Sequence, residues 1–508
     1  MSKSLHAIPI IILFLLLLFP LAPLQSYSLT PNPPLWTTPD PVADLAISGN
    51  GSIVVISNYS HIKVFDGDGN VLWTYTLLNQ SFFATAVDVS RNGNAVVASF
   101  FNGSHSRVLF WKDAASLSGM PTPDWMSEVQ GIIGLEGLPP IVPFFILFIF
   151  FDTLAISGDG NQVVAGLANL VNTTAVLYWN NTLSLTGTVD PTWSNTTITT
   201  TPPFITHVDT SFNGNYVAAG LVIPYTGAWL LYFKNAASKS GSIMPDLGIP
   251  VGFFIANITG MELSDDGRYA VLSYFNNASG WSLYYYNFTD PPYRFWETEF
   301  GSTQLGGVDI SSDGSVVVTT VGGFILAPII EAPLSSLKDM IDIGNLNLKE
   351  YKQKMKPNYT LEDSSTPSIS FYHVPSDVPN GTMLMPDVNV TVEEPLGSVS
   401  LSCDGSVAVA GNYNGTIVYA ATSGGILIWS DYSTIDPISH RVKVSCNGEV
   451  AATGGISFDS LHYYRVRPQV AVVGGEAEIS LGESNQIALL AIPILLAIAI
   501  YLINRKSS

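Results

Sequence analysis

The sequence predicts an all-β chain folded as an eight-bladed β-propeller, and three observations carry that expectation. First, one pattern is written eight times. At residues 307–320 it reads GVDISSDGSVVVTT, two alternating apolar runs joined by Ser-Ser-Asp-Gly. Asp-Gly in such a setting signals a hairpin, because glycine accepts the positive φ of the tight turn. The turn glycines are Gly51, Gly93, Gly160, Gly214, Gly267, Gly314, Gly405 and Gly448, each following Ser, any residue, then Asp or Asn. Second, these glycines lie 42, 67, 54, 53, 47, 91 and 43 residues apart, which brackets one propeller blade with insertions. Third, an aromatic strand follows the hairpin: RVLFWKD from Arg107, AVLYWNN from Ala175, WLLYFKN from Trp229 and SLYYYNF from Ser282. A fourth strand then often carries a tryptophan, at Trp73, Trp125, Trp193, Trp296 and Trp429. Four antiparallel strands repeated radially make a propeller, with each large ring packed between neighbouring blades.

Composition narrows the function. Charged residues are 12% of 508, the hydrophobic share is 47% and the net charge is −20. Such a chain is not disordered, and it repels polyphosphate, so nucleic acid is excluded as a partner. Two cysteines exclude a disulfide-dense scaffold and a four-cysteine zinc site.

In chain order, residues 1–26 read as a secretory signal: Lys3 begins it, 8–19 is apolar and Gln25-Ser26 ends it. No clean cleavage site is present, so an uncleaved anchor is the alternative; both readings export the chain beyond residue 26. Residues 27–470 form the propeller. Trp36 in PPLWTTPD reads as a fourth strand with no blade before it, whereas residues 461–467 (LHYYRVR) lack a Trp-bearing successor. The first strand is therefore expected to complete the last blade, closing the ring and removing its exposed edges. Two insertions interrupt the rhythm. Residues 131–151, GIIGLEGLPPIVPFFILFIFF, contain three prolines that forbid a continuous helix. They read as lead-in to the third blade's innermost strand or as a greasy loop for a membrane or partner. Residues 328–367 sit inside the sixth blade and read as two short helices, after which SISFYHVP resumes the third strand. Lys349, Lys352, Lys354 and Lys356 concentrate basic charge there, as a solvated face or as a docking element for an acidic or glycan partner.

A linker, 471–485, leads to 486–503, QIALLAIPILLAIAIYLI, eighteen residues without charge and about long enough to span a bilayer. Arg505 and Lys506 in the tail 504–508 would stay cytoplasmic, placing 27–485 outside the cell. Sequons are dense in that portion: Asn58, Asn79, Asn102, Asn172, Asn180, Asn195, Asn257, Asn277, Asn287, Asn358, Asn380, Asn389 and Asn414. They suggest a glycan-coated exterior.

Residues 62–77 (IKVFDGDGNVLWTYTL) and 417–432 (IVYAATSGGILIWSDY) resemble the repeat of quinoprotein-like propellers, with Gly69 before Trp73 and Gly425 before Trp429. The Ser-x-Asp-Gly hairpins are equally similar to those of WD-repeat and surface-layer propellers. The resemblance covers about residues 35–470 and implies a propeller, not one function. Quinone-using members carry a pair of adjacent cysteines, which this chain lacks.

Chemistry could reside in a ring of acids. Two residues before the hairpin serine stand Asp88, Asp209, Glu262 and Asp309, with Ala46, Ala155, Ser400 and Lys443 at the equivalent positions. On innermost strands these acids would line the channel, either holding a calcium ion or pairing with backbone amides. Asp66-Gly-Asp68-Gly-Asn70 resembles the front of a calcium loop, but lacks the later glutamate and reads as a turn. No cofactor is otherwise called for. Cys403 and Cys446 occupy the same position in consecutive hairpins; a disulfide between them needs crowding near the axis, and the sequence leaves the pairing open. The whole reads as a membrane-anchored, cell-surface module that binds proteins or glycans without catalysis. The rival is a quinoprotein-like oxidoreductase or glycan-cleaving enzyme using the acid-lined channel.

Overall fold

Each repeat closes its hairpin with the same side-chain network. All eight turn glycines adopt φ between 66° and 78°. The Ser311 hydroxyl donates to Asp313 (2.8 Å) and accepts the Val316 amide (2.9 Å), while Asp313 accepts the Ser315 amide (2.9 Å). Serine and Asp/Asn thus satisfy the backbone groups that a two-strand turn leaves unpaired, which is why these types recur. Asp66 does the same in its own turn, accepting the amides of Asp68 and Asn70 at 3.0 and 2.8 Å.

The structure, a computed structural model, describes residues 33–466 apart from 59, 77–81, 134–151, 169–171, 254–255, 277–279, 290–293, 302, 323–365, 376–380, 413–416, 433–439 and 456–460. Its strands form eight sheets, each with a four-stranded antiparallel meander. Strands are named a to d from the axis outward. The a strands are Asp44–Ile47, Phe83–Val89, Leu154–Ile156, Phe204–Thr210, Ala256–Leu263, Leu305–Ile310, Leu396–Leu401 and His440–Val444, in blades 1 to 8. Ser368–His373 is strand c of blade 6, so that blade is interrupted, as its sequence implied, and not missing. Blade 8 takes strand d from the other end of the chain: Trp36–Thr38 pairs with Leu461–Arg465, Trp36 opposite Tyr463.

The core lies between blades, and the d-strand tryptophans organise it. Trp73, Trp125, Trp193, Trp296 and Trp429 are all buried. Four of them donate the indole N–H to the next blade's backbone: Trp73 to Ala114 (2.8 Å), Trp125 to Thr182 (3.1 Å), Trp193 to Ala236 (2.9 Å) and Trp429 to Val466 (3.2 Å). Trp36 repeats this across the closing seam, donating to Gly67 O at 3.0 Å and stacking on Tyr463 and Phe65.

A second repeated motif accompanies these bonds. KDAASLSG, NNTLSLTG and KNAASKSG end strand c in blades 2, 3 and 4. In each, a left-handed residue (Asp113, Asn181 or Asn235, φ 51–54°) opens a 3-10 turn whose first carbonyl receives the tryptophan. The glycine seven residues after strand c then reaches the preceding blade: Gly187 and Gly241 pair in parallel with Trp125 and Trp193, and Gly119 bridges Trp73. Outer strand edges are thereby covered from within the chain.

Strand direction sorts the connections onto two faces. The a–b and c–d turns share one, the turn face; the b–c and d–a connections share the other, the loop face. The first insertion joins strand d of blade 2 to strand a of blade 3, and the second joins strands b and c of blade 6, so both depart from the loop face. Residues 134–151 and 323–365, with Lys349, Lys352, Lys354 and Lys356, lie outside the described residues. So do 1–26 and the separate unit 468–508, which contains 486–503. Among the described residues no helix is long and apolar enough to cross a membrane.

The sequons divide. Asn172 and Asn389 are exposed, Asn102, Asn180, Asn257 and Asn287 are half-buried, and Asn79, Asn277, Asn358, Asn380 and Asn414 lie outside the described residues. Two do not fit the expectation of an outward glycan: Asn58 and Asn195 are buried, and the Asn195 amide nitrogen is committed to Ile243 O at 2.8 Å. A sequon reports residue types, and here the strand register turns the side chain inward.

Candidate functional site

The repeat brings the hairpin acids together on the axis. Asp88, Asp209, Glu262 and Asp309 all stand on a strands and are half-buried, and the first three line one cavity with Asp44, Asp152 and Lys443. Asp44 and Asp152 fall outside the two-before-serine position, so the recurring offset does not reveal them in the sequence.

Most of these carboxylates bridge blades. Asp88 accepts the amide of Val89 (2.7 Å) on its own strand and of Ile156 (2.8 Å) in blade 3. Asp209 joins Thr210 (2.7 Å) to Leu263 (2.7 Å) of blade 5, and Asp309 joins Ile310 (2.7 Å) to Leu401 (2.7 Å) of blade 7. Asp44 accepts the Val87 amide of blade 2 at 2.9 Å, and Ser400, standing where others have an acid, accepts Val444 of blade 8 at 3.2 Å. A buried amide at a blade edge needs an acceptor, and a carboxylate with two oxygens can serve two blades at once.

The cation for this ring is supplied by the chain itself. Lys443 of blade 8 reaches Asp152 at the entry to blade 3, Nζ to Oδ2 3.8 Å. Burial pulls its ammonium down, but Asp152, Glu262, Asp88 and Asp309 outweigh that and hold it charged. Arg441 lies 3.9 Å from Asp44. Burial raises Asp88 and Asp209 to about 7, and Asp44 and Asp309 to about 6. Glu262 is raised by burial first, then by Asp209 and Asp309. Among the described residues no three metal-ligating side chains gather closely enough to hold an ion. The cavity offers about 70 Å³ to the centres of water-sized molecules. At roughly 10–15 Å³ per water that is room for a few waters.

At the turn face the channel narrows to a collar. The residue after each hairpin serine (Gly49, Arg91, Gly158, Phe212, Asp265, Ser312, Cys403, Cys446), or the one following it, bonds through its backbone to the next turn, and the circle closes from Asn447 to Gly49 O at 3.2 Å. Arg91 and Asp265 stand three steps apart on this ring of eight, nearly a diameter, and their fork of two hydrogen bonds lies across the mouth. Phe212 packs under the guanidinium, 4.9 Å to the ring centroid. A Cβ at Gly49 would overlap Arg91, and one at Gly158 would overlap Phe212, so these two glycines make room for the crossing side chains.

Cys403 and Cys446 are neighbours on the collar and are bonded, with Cα atoms 4.6 Å apart. Axial convergence brings blades well inside their usual spacing of about 10 Å. Replacing both by serine should cost ~2 kcal/mol, at the lower end for a loop of this length because the collar hydrogen bonds already restrain the pair. Differential scanning calorimetry with and without reductant measures it; an unchanged midpoint would show that the bond does not form.

No family model matches the chain, and no curated protein matches it. Solved structures do. The C-terminal WD40 domain of Sif2 aligns over 87% of this chain and 99% of its own length, with a TM-score of 0.51 and 10% identity. The Dos1 propeller aligns over 85% of this chain and 95% of its own, with a TM-score of 0.51 and 11% identity. At such identities the likeness is one of architecture, and the chain is an eight-bladed β-propeller of WD40-like fold.

Proposed function

We propose that the protein is a non-catalytic scaffold that binds protein or glycan partners outside the cell, held to the membrane through residues 486–503. The observation that carries the reading is the allocation of polar groups. Asp88, Asp209 and Asp309 accept amides of neighbouring blades, Lys443 pairs with Asp152 and Glu262 lies against Asp209, so most of the channel's charge has a structural partner. Both departures from the repeat, by contrast, leave the loop face, and irregular connections on a rigid scaffold are where specificity resides. The insertion that departs there carries the lysines of 349–356, a basic run in an acidic protein. Exposed sequons such as Asn172 and Asn389 fit an outward, glycan-bearing surface.

The test is excision of residues 335–356. The shortened protein should reach the membrane folded, with a near-unchanged melting midpoint, and should lose the surface proteins that co-purify with the parent from detergent-solubilised membranes. Retention of those proteins after excision, together with their loss on combined D88N, D209N, E262Q and D309N substitution, would place the site in the channel and reject the scaffold reading.

A further inference from the structure

Among the described residues the large apolar side chains left in solvent are not scattered evenly. Along the c–d connections of the turn face stand Val71, Met120, Leu183, Met244, Met385 and Ile426, from blades 1, 2, 3, 4, 6 and 7. Met120, Met244 and Met385 are 55%, 78% and 71% exposed, each immediately before a proline that holds the connection extended. Leu35, at the start of strand d in blade 8, extends the rim to a seventh blade. Among the described residues of the loop face the corresponding ones are Phe83, Ile198 and Tyr225. Apolar exposure arranged around one face calls for a cover.

Chain direction says what that cover is. Strand c of blade 8 runs toward the turn face and ends at Arg465, so the chain leaves for residues 467–508 from this face. Strand d of blade 8 begins on the same face at Trp36, so the chain preceding residue 33 also enters there. The sequence on each side continues into an uncharged apolar run, 8–19 and 486–503. Nineteen residues, 467–485, separate the last described strand from the second run, and at most about 65 Å of chain can lie between them.

We propose that the turn face is the membrane-proximal surface, its rim of methionine, leucine, isoleucine and valine resting in the lipid interface, with the loop face directed away. This rests on the anchor reading above and adds the orientation. The occupant is a lipid surface of little net charge. Exposed Asp68, Asp113 and Asp404 sit among the apolar side chains on this face and would be repelled by anionic headgroups, whereas Asp266 is paired with Arg268 at 3.6 Å.

Methionine oxidation reads the orientation directly, since exposed thioethers form sulfoxides and covered ones are spared. The full chain is reconstituted into phosphatidylcholine vesicles and, separately, held in detergent, then pulsed with hydrogen peroxide and with hydroxyl radicals. Sulfoxide at Met120, Met244 and Met385 should fall several-fold in vesicles relative to detergent, while radical labelling of Tyr225 and Phe83 stays the same. Vesicles containing a third phosphatidylserine should show weaker protection. Equal oxidation in vesicles and detergent, with the protein still resisting alkaline extraction, overturns the orientation and leaves the anchor standing. Release of the protein by alkaline carbonate overturns both. Protection of Tyr225 and Phe83 instead would turn the molecule over. Protection of the methionines in detergent that grows with protein concentration would assign the rim to a second copy of the chain and reject the lipid.

Discussion

Removal of residues 33–40 is expected to lower the melting midpoint by roughly 10 °C or more and to make the protein aggregate on heating. The deleted segment contributes strand d of blade 8, the Trp36 bond to Gly67 and the stack of Trp36 on Tyr463 and Phe65. It also holds Asp40, which binds the Lys63 ammonium of blade 1 at 2.6 Å. Truncating a half-buried tryptophan alone costs about 3 kcal/mol, and each kcal/mol shifts the midpoint of a chain this large by only ~2–4 °C. Trp36→Ala should therefore account for most of the change, and deletion should add the exposure of Leu461–Arg465 as an unpaired edge. Scanning calorimetry with light scattering separates the two effects. A deletion variant that melts like the parent would mean that the ring is held closed elsewhere, for example by the collar.

Replacing Lys443 by methionine should destabilise the protein by about 1–2 kcal/mol at pH 8 and by much less at pH 4.5. The effect lies below that for a fully buried pair because the Lys443 and Asp152 side chains both keep about a third of their surface in solvent. The substitution leaves Asp88, Asp152, Glu262 and Asp309 without the ammonium that balances them. The acids themselves give the parent a pH dependence whose sign is set by burial. Asp88 and Asp209 titrate near 7 in the fold, and Asp44 and Asp309 near 6, against about 3.9 in an unfolded chain. Between those values the folded state binds more protons, so stability is full at the acid side and is lost as pH rises from about 4 to 7. Turn carboxylates such as Asp66 and Asp313, held low by hydrogen bonds despite some burial, act in the opposite sense only below about pH 4. Chemical denaturation at half-unit steps should show the parent's stability falling across that window, Asp88→Asn flattening the slope and Lys443→Met steepening it. A parent whose stability rises from pH 4 to 7 would show that the inter-blade amides and Lys443 outweigh burial and that the channel acids are ionised in the fold.

Whatever depends on local chemistry was legible in the order of the residues. A two-strand turn needs a positive φ and acceptors for its unpaired amides, and only a few residue types provide both. Ser-x-Asp/Asn-Gly therefore marked all eight hairpins, and counting them gave the blades. Trp36 was legible as a strand in search of a blade because its pattern matched the other fourth strands. Packing between blades decided the rest. Nothing in Cys403 or Cys446 says that the axis brings their Cα atoms to 4.6 Å, since that distance comes from eight wedge-shaped sheets converging. Arg91 and Asp265 are 174 residues apart in sequence and meet only because their turns stand nearly opposite on the collar. Sequence placed four acids at one recurring position, with lysine at the same position in the eighth repeat. That this lysine is the acids' own counter-ion depends on a channel narrow enough for Lys443 to cross toward Asp152. The same residue position can stay solvated, bind an ion or tie two blades together, and the radius of the ring selects among these outcomes.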